Sequence, residues 1–166
     1  MADLILKNVR LDGRITDMTV DRASGKILSV DPTPHGGKEM HGATVVAGYV
    51  DIHAHGFIGH DVMDGDKLEE MSVYLAENGT TAWCPTTTTN AVAELRQVVG
   101  GPLPQRGAHV LGFHLEGPYI SHKYCGALNT DFAKLPDPAD FADTARIAMM
   151  TLAPELEGAM DYILQE

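Results

Sequence analysis

The chain has 166 residues, 44% hydrophobic and 21% charged, the balance of an ordinary folded protein with enough apolar residues for a core. Twelve basic residues against 23 acidic ones leave a formal charge of −11, which argues against a nucleic-acid partner, since phosphate contacts need clustered Lys and Arg. A local pocket can still take a small anion. There is no apolar run of about 18 residues, so no membrane span is predicted, and Met1-Ala2-Asp3 lacks the cationic start of a signal peptide. The expected location is the cytoplasm. Cys84 and Cys125 form no C-x-x-C pair and read as buried free thiols.

In chain order, residues 1–47 read as a small β-domain. Leu4 and Leu6 alternate with polar neighbours, Thr19-Val20-Asp21 leads to a turn at Ser24-Gly25, and Ile27, Leu28 and Val30 resume a strand. Pro32 to Gly42 is expected to be a loop. From Thr44 on, four strand-then-helix units follow. The first strand is predicted over 44–53, with a helix capped by Asp64 or Asp66 that turns Leu68, Met71 and Leu75 to one side and stops at Asn78-Gly79. The second strand is Thr80 to Pro85. Asn90 is the expected N-cap of a helix with Val92, Leu95 and Val99 on its apolar face, closed by Gly100-Gly101. The third strand covers 110–115, with a weak helical stretch at 139–143 after it. The fourth covers 146–152, followed by a helix using Leu156, Met160 and Ile163 or Leu164.

Apolar strands separated by helices indicate parallel pairing, in an open sheet or a closed barrel. A full eight-unit barrel needs about 250 residues, so 48–166 reads as the first half of one, with an open four-stranded sheet as the alternative. Chemistry at the strand ends favours the half-barrel.

His53 and His55 in Asp51-Ile52-His53-Ala54-His55-Gly56 point to one face, because side chains two apart in a strand do. Two imidazoles at the carboxyl end of a strand can reach one divalent cation, although H-x-H also arises by chance. Asp51, one period earlier, is placed to orient a ring or to fill the interior. His114 and Glu116 share a face by the same alternation. Glu116 ends a buried strand, where an unpaired charge is costly, so it either ligates a metal or sits in a salt bridge. Together these side chains form apparatus for amide hydrolysis by metal-activated water. A Ser or Cys nucleophile is less supported, with no G-x-S-x-G elbow present. Thr86 to Thr89 read either as the lining of a polar pocket or as a β-branched strand end. Gly126 and Ala127 allow a ligand close to the backbone or form a surface turn. His60 reads as a solvated loop residue.

The strings Gly48 to Gly56, Asp61-Val62-Met63-Asp64, Asn78-Gly79-Thr80-Thr81, Pro85-Thr86, Gly112 to Pro118 and Thr151-Leu152-Ala153-Pro154-Glu155 resemble N-acetylglucosamine-6-phosphate deacetylases of the amidohydrolase superfamily. The resemblance runs along essentially the whole chain and is most specific at Glu116 and at Ala153-Pro154-Glu155. It implies a small β-domain (part of a β-sandwich) beside a TIM-like (β/α)8 barrel, a homodimer, and removal of acetate by metal-activated water. It makes Glu116 a metal ligand, His53 and His55 ligands of a further metal site, and Ala127 a sugar contact through its backbone. The expected ion is zinc, with iron, manganese and cobalt as alternatives. Leu128 stands where several relatives have His, a departure within the sugar site. The family's general-base Asp, two further metal histidines and most phosphate contacts are expected beyond Glu166. The chain alone is therefore expected to be inactive, and a second polypeptide or the C-terminal half to complete the barrel. A dihydroorotase-like cyclic-amide hydrolase and a non-catalytic metal-binding fragment are the competing readings. The first is disfavoured because the fourth strand has no lysine to bridge two metals.

Overall fold

The computed structural model describes residues 3–34 and 36–165; Met1, Ala2, His35 and Glu166 lie outside the described residues, and with them part of the N-terminal signal-peptide reading and one position of the 32–42 loop. The chain divides into two compact units, Met1–Ala47 and Gly48–Glu166.

In the first unit, β1 (Leu4–Leu11) and β2 (Arg14–Val20) form an antiparallel hairpin. Its two-residue turn is Asp12-Gly13, both with positive φ (47° and 78°), the conformation whose twist matches that of paired strands. β3 (Ile27–Ser29) pairs antiparallel with β2. The stretch read as a loop contains β4 (Lys38–Glu39), which pairs parallel with β1, so the sheet order is β3-β2-β1-β4. Thr44, expected in the first barrel strand, bridges to Arg10 instead, and Val45 N–H donates to the Arg10 carbonyl at 2.8 Å. That apolar run is thus divided, its first part bonded within this unit.

Asp17, buried on β2, accepts from Lys7 Nζ at 2.7 Å, Thr33 N–H at 2.8 Å and Asn8 N–H at 3.0 Å. The Lys7 bond foremost, then the two N–H groups, hold its carboxyl down at about 2, from 3.8. A depressed carboxyl stabilises the fold above its unfolded pKa and loses that contribution as pH falls through the folded one. Stability should therefore drop between pH 3.8 and about 2. Acid titrations followed by circular dichroism should show this loss in the wild type and a flatter dependence in Asp17→Asn.

The second unit is α/β. β5 (Tyr49–Ala54) is followed by a small hairpin of β6 (Gly56–Phe57) and β7 (His60–Asp61), then by a 3-10 turn at Val62–Asp64. Asp61 caps that turn, its side chain accepting from Met63 N–H. The cap expected at Asp64 or Asp66 is therefore not used, and α1 (Leu68–Glu77) starts after Lys67 with no side-chain cap. Its buried face is Leu68, Met71, Ser72 and Leu75. β8 (Thr80–Thr87) and α2 (Val92–Gly100) come next. Asn90 is one position too early to cap α2; its side chain accepts from Ala91 N–H, and Ala91 is the N-cap.

The third strand is broken into β9 (His109–Val110) and β10 (Phe113–Glu116). The break falls at Gly112, whose φ of 141° suits glycine and whose Cβ would lie 2.7 Å from that of Ala148. The predicted helix at 139–143 is absent; its residues are turns. Pro136 and Pro138 flank Asp137, whose carboxylate takes Ala139 N–H, a local bond that competes with a helix. β11 (Ile147–Thr151) and α3 (Ala159–Ile163) close the unit, with a second 3-10 turn at Thr130–Phe132 before them. α3 buries Ala159 and Tyr162, not the expected Met160, Ile163 and Leu164, which are exposed. The Tyr162 ring packs edge-on against Tyr119, 5.3 Å between centroids, and this aromatic contact sets the helix's rotation.

The sheet order is β5-β8-β10-β11, every pair parallel and in chain order, with β9 also on β8. Trp83, Phe113 and Leu115 from the strands and Met71, Leu75, Leu95 and Val99 from the helices share one buried cluster. Among the described residues no helix is long and apolar enough to cross a membrane.

Candidate metal centre

Parallel strands in sequential order bring their carboxyl ends to one edge, and the candidate ligands stand there. His53 is on β5, His55 immediately follows it, and Glu116 is the last residue of β10, two strands away. His53 Nε2 and His55 Nε2 are 3.2 Å apart. Glu116 Oε2 lies 2.9 Å from His55 Nε2 and 3.7 Å from His53 Nε2. One ligand atom from each of the three fits within 4.8 Å of the others.

Hydrogen bonding shows what such a cluster can hold. His55 Nδ1 faces the Thr86 carbonyl at 3.1 Å, and a carbonyl can only accept, so the proton sits on Nδ1. Nε2 then presents a lone pair to a carboxylate oxygen that also has only lone pairs. Protonating His55 would satisfy that pair but leave His53 Nε2 against the same groups without a good partner. A divalent cation satisfies all three, and the set of two imidazoles and one carboxylate is chemically suited to one.

The strand end holds Glu116 in place. Its carbonyl accepts from Thr89 Oγ1 at 3.0 Å. Gly117 follows with φ 89°, and a Cβ there would meet Thr89 Oγ1 at 2.2 Å, so the residue after the carboxylate has to be glycine. The Gly117-Pro118 bond is cis.

His114 shares the face of Glu116 but lies outside the ligand cluster. It is buried, its ring edge-on to His53 at 4.9 Å between centroids. Its Nε2 is 2.8 Å from Thr151 Oγ1 and its Nδ1 3.3 Å from Thr86 Oγ1. Burial first, then the neighbouring His53, push its pKa below the ordinary histidine value, so it stays neutral. Asp51 Oδ1 accepts the backbone N–H of His53 at 3.1 Å, so this bond braces the strand and not an imidazole ring. His60 lies 3.1 Å from Glu70 rather than free in solvent.

Beside the cluster is an open cleft of about 700 Å³, within the range of small-molecule sites, lined by His55, Thr88, Glu116, Ala127, Leu128 and Glu155 among others. Ala127, expected at the sugar, is therefore in the cleft that holds two of the candidate ligands. Cys125 is also there and only half-buried, a correction to the reading of both thiols as buried; Cys84 is buried, and desolvation raises its pKa. Sequence reasoning treated the threonines as a group and missed how they divide. Thr86 bonds to three strands, Thr88 lines the cleft, Thr89 holds Glu116, and the Thr87 hydroxyl is buried without a partner. Those roles depend on cross-strand register, which no local pattern reveals.

N-acetylgalactosamine-6-phosphate deacetylase of Escherichia coli O157:H7 is 32% identical over 168 residues, covering 92% of this chain and 44% of its own. N-acetylglucosamine-6-phosphate deacetylase of Vibrio furnissii is 37% identical over 132 residues, 72% of this chain and 33% of its own. Over the stretch it spans, the chain is similar to the N-acetylglucosamine-6-phosphate deacetylases. A solved structure of that enzyme from Mycobacterium smegmatis, a variant in complex with N-acetyl-D-glucosamine-6-phosphate, superposes with a TM-score of 0.80 at 26% identity, covering 99% of this chain and 47% of that one. The chain thus spans less than half the length of these deacetylases. No family model matches the chain.

Proposed function

We propose that this chain supplies one wall of the metal centre of an N-acetylglucosamine-6-phosphate deacetylase, which releases acetate and glucosamine 6-phosphate. The observation that carries this is the convergence of His53, His55 and Glu116 at one end of a parallel sheet, in a chain whose relatives bear that name. On this reading residues 48–166 are four βα units of a TIM-like (β/α)8 barrel and 1–47 belong to a small β-domain. The strand order supports a barrel: it never reverses, so there is no switch point of the doubly wound kind.

His53 and His55 would hold the ion through neutral nitrogens and Glu116 through its one negative charge. Zinc suits this set best, with iron, manganese and cobalt as further candidates. Held by these three residues, a divalent ion would supply Lewis-acid chemistry, polarising an amide carbonyl and activating water near neutral pH. Glu116 alone neutralises half of its charge, which preserves that polarising power. Ala127 and Gly126 keep the cleft wall thin enough for a sugar to approach the backbone, while Leu128 offers no polar atom to a hydroxyl. The resemblance also supports a cytoplasmic homodimer.

The relatives are more than twice as long, and we assign the general base and the remaining ligands to the part of their fold outside the matched stretch. The matched stretch by itself should therefore bind metal but release no acetate. Acetate release is the test, with zinc present, using N-acetylglucosamine 6-phosphate and its galactosamine epimer. Activity should appear only when the remaining segment of the Vibrio furnissii relative is supplied with the chain. Absence of acetate from either sugar in that combination, with metal bound, would remove the substrate assignment.

A further inference from the structure

Between the two ligand-bearing strands lies β8, and Thr86 near its carboxyl end touches both sides of the centre while ligating nothing. It is fully buried. Its carbonyl takes His55 Nδ1–H at 3.1 Å, the bond that turns Nε2 toward Glu116. Its hydroxyl accepts the N–H of Ala54, the residue between the two histidines, at 3.0 Å. The same hydroxyl donates its one proton to the Cys84 carbonyl at 3.1 Å, a group that can only accept. Toward His114 Nδ1, at 3.3 Å, it therefore has a lone pair to offer, and Nδ1 carries the proton. His114 Nε2 is then the acceptor for Thr151 Oγ1 at 2.8 Å.

The result is a directional chain of bonds, Thr151 to His114 to Thr86 to Cys84, which crosses β11, β10 and β8 and is joined by the Ala54 N–H of β5. Every donor and acceptor position of the Thr86 hydroxyl is occupied. The chain places the His53-Ala54-His55 segment and the strand carrying Glu116 in register with each other.

We propose that Thr86 is the positioning residue of the metal centre: through its carbonyl and its hydroxyl together it sets the separation and the orientation of the imidazole and carboxylate ligands. This rests on the metal reading above. Thr86→Val keeps the side-chain shape but leaves the buried Ala54 N–H without its acceptor and removes the lone pair facing His114 Nδ1, whose ring keeps a bond to the Ile52 backbone, whereas Thr86→Ser keeps the hydroxyl. Thr87→Val is the matched control, since it removes an equally buried hydroxyl from the next position of the same strand, one that has no partner to lose.

The probe is cobalt(II) added to the whole chain and followed by its visible absorption, with thermal midpoints measured on each variant. Loss of an outer-shell partner typically weakens metal binding by roughly 10- to 100-fold. Thr86→Val should lose affinity by that factor with an altered cobalt spectrum, while Thr86→Ser and Thr87→Val stay within a few-fold of wild type. Should Thr86→Val fail to fold, Thr86→Cys, with its weaker donor and acceptor, takes its place and should bind cobalt more weakly than Thr86→Ser with an altered spectrum; affinity and spectrum equal to Thr86→Ser would overturn the inference. Wild-type affinity and spectrum in Thr86→Val would overturn the inference and leave the metal centre standing, as would equal losses in Thr86→Val and Thr87→Val. A wild-type chain that binds no cobalt would overturn the metal reading and this inference with it.

Discussion

Glu116→Gln should abolish measurable metal retention by the chain. The carboxylate is the one anionic member of the cluster, 2.9 Å from His55 Nε2 and 3.7 Å from His53 Nε2, and its side chain is 20% exposed. Glutamine keeps the size but replaces a charged donor with a neutral amide, half of which presents N–H groups to the ion. The loss should exceed the roughly 100-fold that marks the upper end for outer-shell changes, because a ligand itself is removed. Folding should be unaffected or slightly improved, since the substitution relieves a partly buried charge. Zinc content by elemental analysis after gel filtration checks the first expectation, and a thermal melt checks the second. Zinc bound equally by wild type and Glu116→Gln would show that the carboxylate is a salt-bridge partner and not a ligand.

Trp83→Ala should strongly destabilise the second unit. The indole is fully buried at the centre of β8, meets Phe57 edge-on at 5.8 Å, and donates Nε1–H to Ser72 Oγ at 2.9 Å. Truncating a buried tryptophan typically costs about 3–5 kcal/mol, and a domain has about 5–15 kcal/mol in all. The variant also leaves the Ser72 hydroxyl, itself fully buried, without its partner. Trp83→Phe should cost much less, since most of the volume remains. Urea unfolding followed by circular dichroism gives both numbers. A cost below about 1.5 kcal/mol for the alanine variant would mean this core is not the one that holds the sheet together.

The parts of this architecture that follow from local chemistry were legible in the residues. Leu68, Met71 and Leu75 repeat at helical spacing and line the buried face of α1. The two-residue alternation that pairs His53 with His55, and His114 with Glu116, is a property of any strand. Asp12-Gly13 is equally legible as a hairpin turn, since Asp-Gly tolerates two positive φ values.

What was not legible depended on partners distant in sequence. Met160 and Ile163 fit a helical stripe as well as Ala159 and Tyr162 do; only the Tyr119 ring decides between them. His114 looks like a ligand by alternation, yet register places it opposite Thr86 and beside Thr151, where both ring nitrogens are occupied. The division of 44–53 between two units likewise follows from the Arg10 pairing. The resemblance implies one metal site at Glu116 and a further one at the histidine pair, and the strands bring a ligand atom of each of the three within 4.8 Å of the others, a proximity that no local pattern reveals.

The most direct test of the metal centre is anomalous X-ray scattering at the zinc edge, on crystals of the whole chain grown with zinc. The expected result is a peak bonded to the Nε2 atoms of His53 and His55 and to a Glu116 carboxylate oxygen. A map with no peak there, and with Glu116 hydrogen-bonded to a protonated His55 in its place, would contradict the account.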